Sequence, residues 1–201
     1  MEHYFTNNSN LKSDFRTIHY EYAGDTIEFT SDLGVFSKDK IDFGSRLLVE
    51  NYLKLGLPQV SLLDVGCGYG FIGLTLAKFK NTNSTLIDIN KRAVHLAEMN
   101  IKNNKIVNAH AFESYIYENV TDKYDVIITN PPIRAGREVV MGILKGASEH
   151  LNDGGSLWFV IRKNQGAETI MKLLADTYSM EVVEKSKGFY IIVAKKLLTS
   201  I

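Results

Sequence analysis

The most informative segment of the chain reads Asp64-Val65-Gly66-Cys67-Gly68-Tyr69-Gly70-Phe71-Ile72-Gly73. A short apolar run at residues 60–64 leads into it, and a helical apolar pattern at residues 71–79 follows it. Glycines let the backbone turn tightly and approach a ligand, and the start of a helix offers unpaired N–H groups. The segment therefore predicts a strand–turn–helix unit with a nucleotide-like ligand bound at the turn.

Strand and helix patterns alternate after this segment. We predict strands at residues 60–64, 84–88, 108–112, 124–129 and 156–162, and helices at 71–79, 91–103, 137–150 and 166–177. Such alternation implies right-handed βαβ units and a parallel sheet covered on both faces. Residues 181–185 and 189–195 flank Ser186-Lys187-Gly188 and predict a closing antiparallel hairpin. The predicted fold class is α/β and Rossmann-like, mostly parallel, with helices on both faces.

A short β/α extension precedes this pattern. Residues 16–30 predict two strands around a turn, and residues 42–55 predict a helix with Asp42 as its N-cap. We therefore expect an N-terminal extension, residues 1–56, packed on a core, residues 57–201. A length of 201 residues fits a single compact domain.

Composition narrows the class of protein. The 23 basic and 23 acidic residues give zero net charge, which argues against a protein that coats nucleic acid non-specifically. The single cysteine excludes an internal disulfide and a Cys-based zinc site, and we predict no metal. The polar first ten residues are not typical of a secretory signal, and no apolar run reaches membrane-spanning length. We expect a cytoplasmic protein without a membrane partner; the sequence leaves the oligomeric state open.

Two acidic residues bear on the ligand. Gly68–Gly73 matches the dinucleotide fingerprint G-x-G-x-x-G, but Gly68 follows the predicted strand end late. Asp64, at that strand end, would repel a pyrophosphate and suits a cationic ligand such as S-adenosylmethionine, which carries an ammonium and a sulfonium. Asp88 ends the next strand and can accept hydrogen bonds from both ribose hydroxyls, as NAD also requires. Asn90 competes with Asp88 for the N-cap of the following helix.

A second motif, Asn130-Pro131-Pro132-Ile133, follows the fourth predicted strand. Two prolines stiffen the backbone and have no N–H. The Asn130 side-chain oxygen and the Pro131 carbonyl could accept both hydrogens of an exocyclic amine and aim its lone pair at a methyl carbon. Positioning and electrostatics would then carry the rate. A strong base is unnecessary because a sulfonium is an excellent leaving group.

Together these residues resemble class I methyltransferases and the N-P-P-aromatic motif of amino-nitrogen methyltransferases. Residues 29–37, 42–48 and 130–136 are similar to the RsmC-like small-domain methyltransferases, which include the guanine-N2 methyltransferase of small-subunit ribosomal RNA. The resemblance covers residues 16 to 195. It implies S-adenosylmethionine as cofactor, with Asp64, Gly66, Gly68 and Asp88 at the cofactor and Asn130 with Pro131 at the amine. The full expected cofactor set adds Cys67, Gly70, Ile89, Glu113 and Asn130, and the expected catalytic set adds Pro132.

The expected substrate contacts are Phe36, Ile133, Arg134 and Arg137. Ile133 stands where the family has an aromatic that stacks on the target base, so Phe36 is a candidate for stacking. Glu113 is the closest substitute for the family's Asp that takes the adenine amino group. Arg134 and Arg137, with Lys38, Lys40, Arg162 and Lys163, would form a positive rim suited to RNA. The expected partner is small-subunit ribosomal RNA or the assembling subunit.

Four functions remain open at this point. The first is methylation of guanine N2 in small-subunit ribosomal RNA. The second is methylation of another amino group, on protein glutamine, DNA adenine or a small molecule. The third is an NAD(P)-dependent oxidoreductase, although no Tyr-x-x-x-Lys pair supports it. The fourth is a non-catalytic binding module with a cofactor fold.

Overall fold

The computed structural model of the chain describes residue 7 and residues 10–198. The expectation about a secretory signal, and the outer limits of the divisions 1–56 and 57–201, fall on residues outside this part. Within it, nine strands and five α-helices form two sheets and their helical layers.

The strands are β1 Arg16–Tyr22, β2 Asp25–Ser31, β3 Ser61–Val65, β4 Asn83–Asp88, β5 Ala109–Glu113, β6 Tyr124–Thr129, β7 Leu151–Arg162, β8 Tyr178–Ser186 and β9 Phe189–Lys196. The helices are α1 Phe43–Leu55, α2 Phe71–Phe79, α3 Lys91–Asn103, α4 Arg137–Gly146 and α5 Ala167–Leu174. Four limits differ from the predicted ones by three residues or more. α5 ends at Leu174 and β8 begins at Tyr178, where residues 177 and 181 were predicted. The helix predicted at 137–150 ends in a 3₁₀ turn, Ala147–His150. β7 begins at Leu151 and not at residue 156. The sequence pattern did not reveal residues 151–155 as strand because Gly154 and Gly155 interrupt the apolar run.

The main sheet has seven strands in the order β5-β4-β3-β6-β7-β9-β8. The first five strands of this order are parallel, and β9 runs antiparallel to β7 and β8. The predicted fold class is confirmed. The chain passes from β3 to β4 on one side and later to β6 on the other, so the strand order reverses beside β3. Ligands of open α/β sheets bind beyond the carboxyl ends of the strands at such a switch point.

The sheet is covered on both faces, and successive side chains of each strand point alternately into the two covering layers. Leu62, Leu86, Ile128 and Ile191 pack in the layer that contains α1, α2, α3 and the N-terminal hairpin. Leu63, Ile87, Ile127 and Ile192 pack in the layer that contains α4 and α5. No helix of the described residues has the length and apolarity needed to cross a membrane.

The hairpin of β1 and β2 is attached to α3 by two asparagines. Asn100 accepts from the Thr30 amide at 2.8 Å and donates to the Thr30 carbonyl at 3.0 Å. Asn104 does the same at Glu28, at 3.2 and 2.7 Å. Four residues of an α-helix rise about 6 Å, and two strand residues span about 6.6 Å. The two side chains therefore match the spacing of β2 and bond to it as a neighbouring strand would.

α1 connects this hairpin to the main sheet. Asp42 caps it as predicted, because its Oδ2 accepts from the Ser45 amide at 2.9 Å. Leu48 and Tyr52 are fully buried, and the Tyr52 ring meets that of Trp158 on β7 at 4.9 Å between centroids. The start of α1 thus lies over the same edge of the sheet at which the parallel strands end.

Candidate active site

A cavity of about 330 Å³ opens at the switch point, a volume at the lower end of the range of small-molecule sites. The predicted site residues that line it are Phe36, Gly66, Cys67, Gly68, Asp88, Ile89, Asn130, Pro131 and Pro132. The fold thus brings together the glycine segment and the Asn-Pro-Pro motif. The predicted residues that do not line it are Asp64, Gly70, Glu113, Ile133, Arg134 and Arg137.

The glycine loop leaves open space on its cavity side. Gly66 and Gly68 have φ values of 72° and 56°, in the left-handed region that favours glycine. A Cβ added at Gly66 would meet no atom within 4 Å, and one at Gly68 would meet only Val35 Cγ1 at 3.9 Å. Gly70 differs, because its Cβ would lie 2.8 Å from Leu74. Gly70 is therefore required for packing of α2, whereas Gly66 and Gly68 leave room for a ligand.

Asp64 lies beneath this loop and not on the cavity wall. It is fully buried, and its Oδ2 accepts from the Gly73 amide at 2.9 Å. Its Oδ1 is buried and has no hydrogen-bond partner among the described residues. Burial raises the pKa of this carboxyl to about 7, and the charge of Asp88 adds to the rise. Asp64 therefore holds the first turn of α2 in place, and direct contact with a ligand would require the loop above it to move.

Asp88 faces the cavity and also fixes the glycine loop. Its Oδ2 accepts from the Gly68 amide and its Oδ1 from the Asn90 amide, both at 2.9 Å. Asn90 is the N-cap of α3, which settles the competition predicted from the sequence. Burial raises the pKa of Asp88 to about 6, although amide hydrogen bonds oppose the rise. The amides of Asn90, Gly68 and Ile89 all contact this carboxyl, and its place on the cavity wall leaves it accessible to a ligand.

The end of the cavity beyond β5 is formed by Ser114, Tyr115 and Ile116, and Glu113 lies outside it. The chain leaves β5 at Glu113 and turns, because the Ser114 amide donates to the Asp88 carbonyl at 2.9 Å. The Ser114 hydroxyl then donates to the Ile116 carbonyl at 3.0 Å. The expectation that Glu113 reaches this end is not met, because the turn presents the next three residues instead.

Asn130 is oriented by the N-terminal extension. Its Nδ2 donates to Asp42 Oδ2 at 3.0 Å and to Ser45 Oγ at 2.9 Å. Both amide hydrogens are used in this way, which leaves the side-chain oxygen of Asn130 as its remaining polar group. Asp42 and Ser45 also line the cavity. The sequence identified Asp42 only as a helix cap, and its second role had no sequence signal beyond its place in the segment 42–48.

In the loop after Pro132, Ala135 lines the cavity, whereas Ile133 and Arg134 do not. Ile133 begins a 3₁₀ turn and packs against the apolar layer of α4 and α5. Arg134 and Arg137 are exposed. Ile133 does not line this cavity, and the two arginines lie at the surface beside it. The substrate contacts expected of these three residues stay predictions.

The opposite wall comes from the segment between β2 and α1. Val35, Phe36 and Ser37 line the cavity, and the Phe36 side chain is partly exposed. The Gly34 carbonyl accepts from Asn90 Nδ2 at 2.9 Å, which ties this segment to the first turn of α3. Phe36 is the predicted stacking residue that the structure does place at the cavity.

Comparison with known proteins identifies the family. The family model described as "Methyltransferase small domain" matches residues 26–193. The chain belongs to the methyltransferase small-domain family. It is a class I methyltransferase of the RsmC-like type, and S-adenosylmethionine is the cofactor of this class. The match decides against the NAD(P)-dependent alternative.

Relatives of this methyltransferase fall into two groups by length. It is 44% identical to the uncharacterized protein YbxB of Bacillus subtilis, over 98% of this chain and 99% of that protein. It is 38% identical to ribosomal RNA small subunit methyltransferase C of Photorhabdus laumondii, over 63% of this chain and 38% of that protein. This methyltransferase therefore spans about two fifths of the length of that ribosomal RNA methyltransferase.

A solved structure shares the fold. The 16S rRNA N2 G1207 methyltransferase RsmC of T. thermophilus, in complex with AdoMet and guanosine, superposes with a TM-score of 0.80 at 24% identity. The superposition covers 93% of this chain and 52% of that one. At this identity, the likeness establishes the common architecture.

Proposed function

We propose that this methyltransferase transfers the methyl group of S-adenosylmethionine to the exocyclic amino group of guanine in small-subunit ribosomal RNA. The observation that carries the proposal is the orientation of Asn130. Its NH₂ group is held by Asp42 and Ser45, so its oxygen is left to accept a hydrogen bond at the cavity. The names of the relatives support the substrate class, since they act on small-subunit ribosomal RNA and, in the Thermus protein, on guanine N2.

The residues around the cavity fit the cofactor. Gly66 and Gly68 open onto empty space, which suits the amino-acid part of a ligand drawn close to the backbone. The carboxylate of Asp88 faces the cavity and suits ribose hydroxyls, which donate hydrogen bonds. Ser114 and Tyr115 would flank the adenine. When bound, S-adenosylmethionine supplies an electrophilic methyl group; Asp64 would act indirectly, through the loop above it.

The chain's own residues then position the amine. Asn130 Oδ1 and the Pro131 carbonyl each accept one hydrogen of the target NH₂, which favours a pyramidal nitrogen with its lone pair directed toward the methyl group. Pro131 and Pro132 hold these acceptors rigidly. Such fixed dipoles need no reorganisation during the reaction. Phe36 stacks on the target base in place of Ile133.

The substrate outside the cavity would be RNA. Arg134 and Arg137 are exposed beside the Asn-Pro-Pro loop and would contact phosphates. A guanine within structured RNA would be flipped out, or methylated before assembly is complete. The proposed location is the cytoplasm, where the small subunit is assembled.

Labelled methyl transfer tests the proposal. Purified small-subunit ribosomal RNA, assembled small subunits, DNA and bulk protein are offered in parallel, and the products are digested to nucleosides or amino acids. We expect label in N2-methylguanosine from RNA or subunits. Label in glutamine or N6-methyladenosine would refute the target while preserving the enzyme class. No transfer to any acceptor, with cofactor binding intact by calorimetry, would favour the binding-module hypothesis.

A further inference from the structure

The C-terminal hairpin ends in a tight turn at the active-site edge of the sheet. β8 and β9 are joined by Lys187 and Gly188, with φ values of 49° and 79°. Phe189, the first residue of β9, is opposite Arg162, the last residue of β7. Because β7 ends at the same edge as the other parallel strands, the turn lies beside the mouth of the cavity. The Lys163 amide fixes it there by donating to the Gly188 carbonyl at 2.9 Å.

Two cations lie over two aromatic rings at this turn. The Arg162 guanidinium carbon is 4.9 Å from the Phe189 ring centroid, and Lys187 Nζ is 4.8 Å from that of Phe43. The two rings are 5.3 Å apart. Phe43, Arg162, Lys187 and Phe189 are called the cation–aromatic shelf below. Cation–π contact holds the charged groups at the surface in fixed positions.

The shelf is continuous with the catalytic residues. Phe43 directly follows Asp42, which accepts from Asn130 at 3.0 Å. Gly44 lies against Phe189, since a Cβ there would be 2.9 Å from that ring. A polymer with one unit at Asn130 would therefore reach the shelf with its neighbouring units.

The charges of the shelf are not neutralised within the protein. Arg162 and Lys187 are exposed, and among the described residues neither forms an ion pair. The net charge of the chain is zero, so a positive field at this edge is local. Aromatic rings beside cations suit unpaired nucleotides, whose bases stack and whose phosphates pair with cations.

Lys187 is not the residue that this turn prefers. Two-residue hairpin turns with two positive φ values favour Asn-Gly, and a lysine at the first position adopts a left-handed conformation at a steric cost. Lys187 thus occupies a position where asparagine would serve the backbone better.

We propose that the cation–aromatic shelf binds the single-stranded RNA segment that flanks the target nucleotide. The inference rests on the proposed function and extends it, because it assigns the path of the RNA beyond the reacting base. The phosphates of the flanking nucleotides lie against Arg162 and Lys187, and one flanking base contacts the edges of the two rings.

The turn supplies a variant that removes charge without harming the fold. Lys187→Asn installs the residue that the turn prefers, and Arg162→Gln removes the second cation. The matched control is Lys105→Asn, because Lys105 is also exposed and left-handed, with φ 53°. It follows the C-terminal end of α3, at the opposite edge of the sheet. Fluorescence anisotropy with a mixed-sequence 20-nucleotide single-stranded RNA, from 50 to 300 mM KCl, gives Kd and its salt dependence.

We expect the double variant K187N/R162Q to bind this RNA on the order of tenfold more weakly at low salt, with a log Kd–log salt slope lower by about 1.4, since each phosphate contact on a single strand contributes about 0.7. KM for methylation of small-subunit ribosomal RNA should rise in parallel, and the affinity for S-adenosylmethionine should be that of the wild type. K105N should leave all these values unchanged.

The possible failures are distinguishable. If the wild type methylates RNA and K187N/R162Q has the same slope and KM as K105N, the shelf is not the RNA path while the proposed function stands. If the wild type transfers no methyl to RNA or subunits in any preparation, the proposed function fails and this inference fails with it.

Discussion

The two loops that form the cavity are held in different ways. The glycine loop is fixed from within the core, where Asp88 and Asp64 at the ends of adjacent strands accept from the amides of Gly68 and Gly73. The Asn130 side chain is fixed from outside, by Asp42 and Ser45 at the start of α1. The glycine loop is thus held by carboxylates of the βα core, and the asparagine that would hold the amine is held by the N-terminal extension.

Because of this difference, the predicted boundary at residue 56 does not separate an accessory extension from a catalytic core. We infer that the extension and the core form one catalytic unit, with the extension supplying the partners of Asn130 as well as the Phe36 wall. Variants on the two sides should separate accordingly. Changes at the start of α1 should lower the rate of methyl transfer and leave the affinity for S-adenosylmethionine unchanged. Changes under the glycine loop should lower that affinity and affect the rate of methyl transfer at saturating cofactor less.

The largest effect is expected for Asn130→Ala. Loss of the amide removes one of two acceptors for the amine, and removal of one preorganised group in comparable sites costs about 100- to 1,000-fold in kcat. The affinity for S-adenosylmethionine, measured by calorimetry, should change little. Methyl transfer at the wild-type rate would refute the assigned role.

Asp42→Asn should give the next largest effect. Asparagine is also a good N-cap, so α1 should remain folded. The hydrogen bond from Asn130 would lose its charged acceptor, and such bonds are worth about 1.5–3 kcal/mol. We expect kcat to fall roughly 10- to 100-fold. Asp39→Asn, an exposed change in the same extension, is the control; equal kcat in both variants would show that the extension does not orient Asn130.

A smaller effect, on the affinity for S-adenosylmethionine, is expected for Asp88 at the glycine loop. Its folded pKa of about 6 lies above the ordinary value, so the carboxylate takes up a proton as the pH falls below about 6. A protonated carboxyl accepts less well from ribose hydroxyls. Calorimetry should therefore show weaker cofactor binding at pH 5 than at pH 7. Asp88→Asn should bind about tenfold more weakly at pH 7, which corresponds to about 1.4 kcal/mol, and should lose most of this pH dependence. An unchanged affinity would exclude the ribose role.

The smallest effect is expected on the free energy of unfolding, through Asp64 beneath the glycine loop. The folded pKa of Asp64 is about 7, raised from 3.8, so the native state binds a proton that the unfolded state has released. The contribution of this group to the free energy of unfolding should therefore be fully present below pH 3.8 and be lost as the pH rises through about 7. Between pH 6 and 7.5, this group should account for a loss of about 1 kcal/mol in urea unfolding.

Asp64→Asn should remove that part of the loss, and the exposed change Asp176→Asn should not. If Asp64→Asn and the wild type lose the same free energy over this range, the proton is bound elsewhere. Asp88 titrates in the same direction at lower pH, so measurements between pH 4 and 6 would combine both groups.

The same two loops show what the sequence could reveal. The glycine loop, both aspartates and Asn130-Pro131-Pro132 are contiguous signals at strand ends, and parallel strands end at one edge, so their meeting was predictable. The partnership of Asp42 with Asn130 was not, because 88 residues separate them and α1 reaches the edge only through tertiary packing. The sequence favoured Glu113 over its neighbours by its chemistry. It could not show which of these residues faces the cavity, because side-chain direction after a strand depends on the turn. The direction of the Ile133 side chain depends in the same way on the 3₁₀ turn at Ile133–Ala135, where it is partly buried against the layer of α4 and α5.

The asparagine pair on α3 has a further consequence for the behaviour of the protein in concentrated solution. A free strand edge invites pairing with another chain, and a two-stranded ribbon has two such edges. Asn100 and Asn104 occupy the donors and acceptors of β2 at Thr30 and Glu28. One edge of the ribbon is thereby closed to intermolecular growth without a third strand, and replacement of both asparagines by leucine would expose it as a template for aggregation.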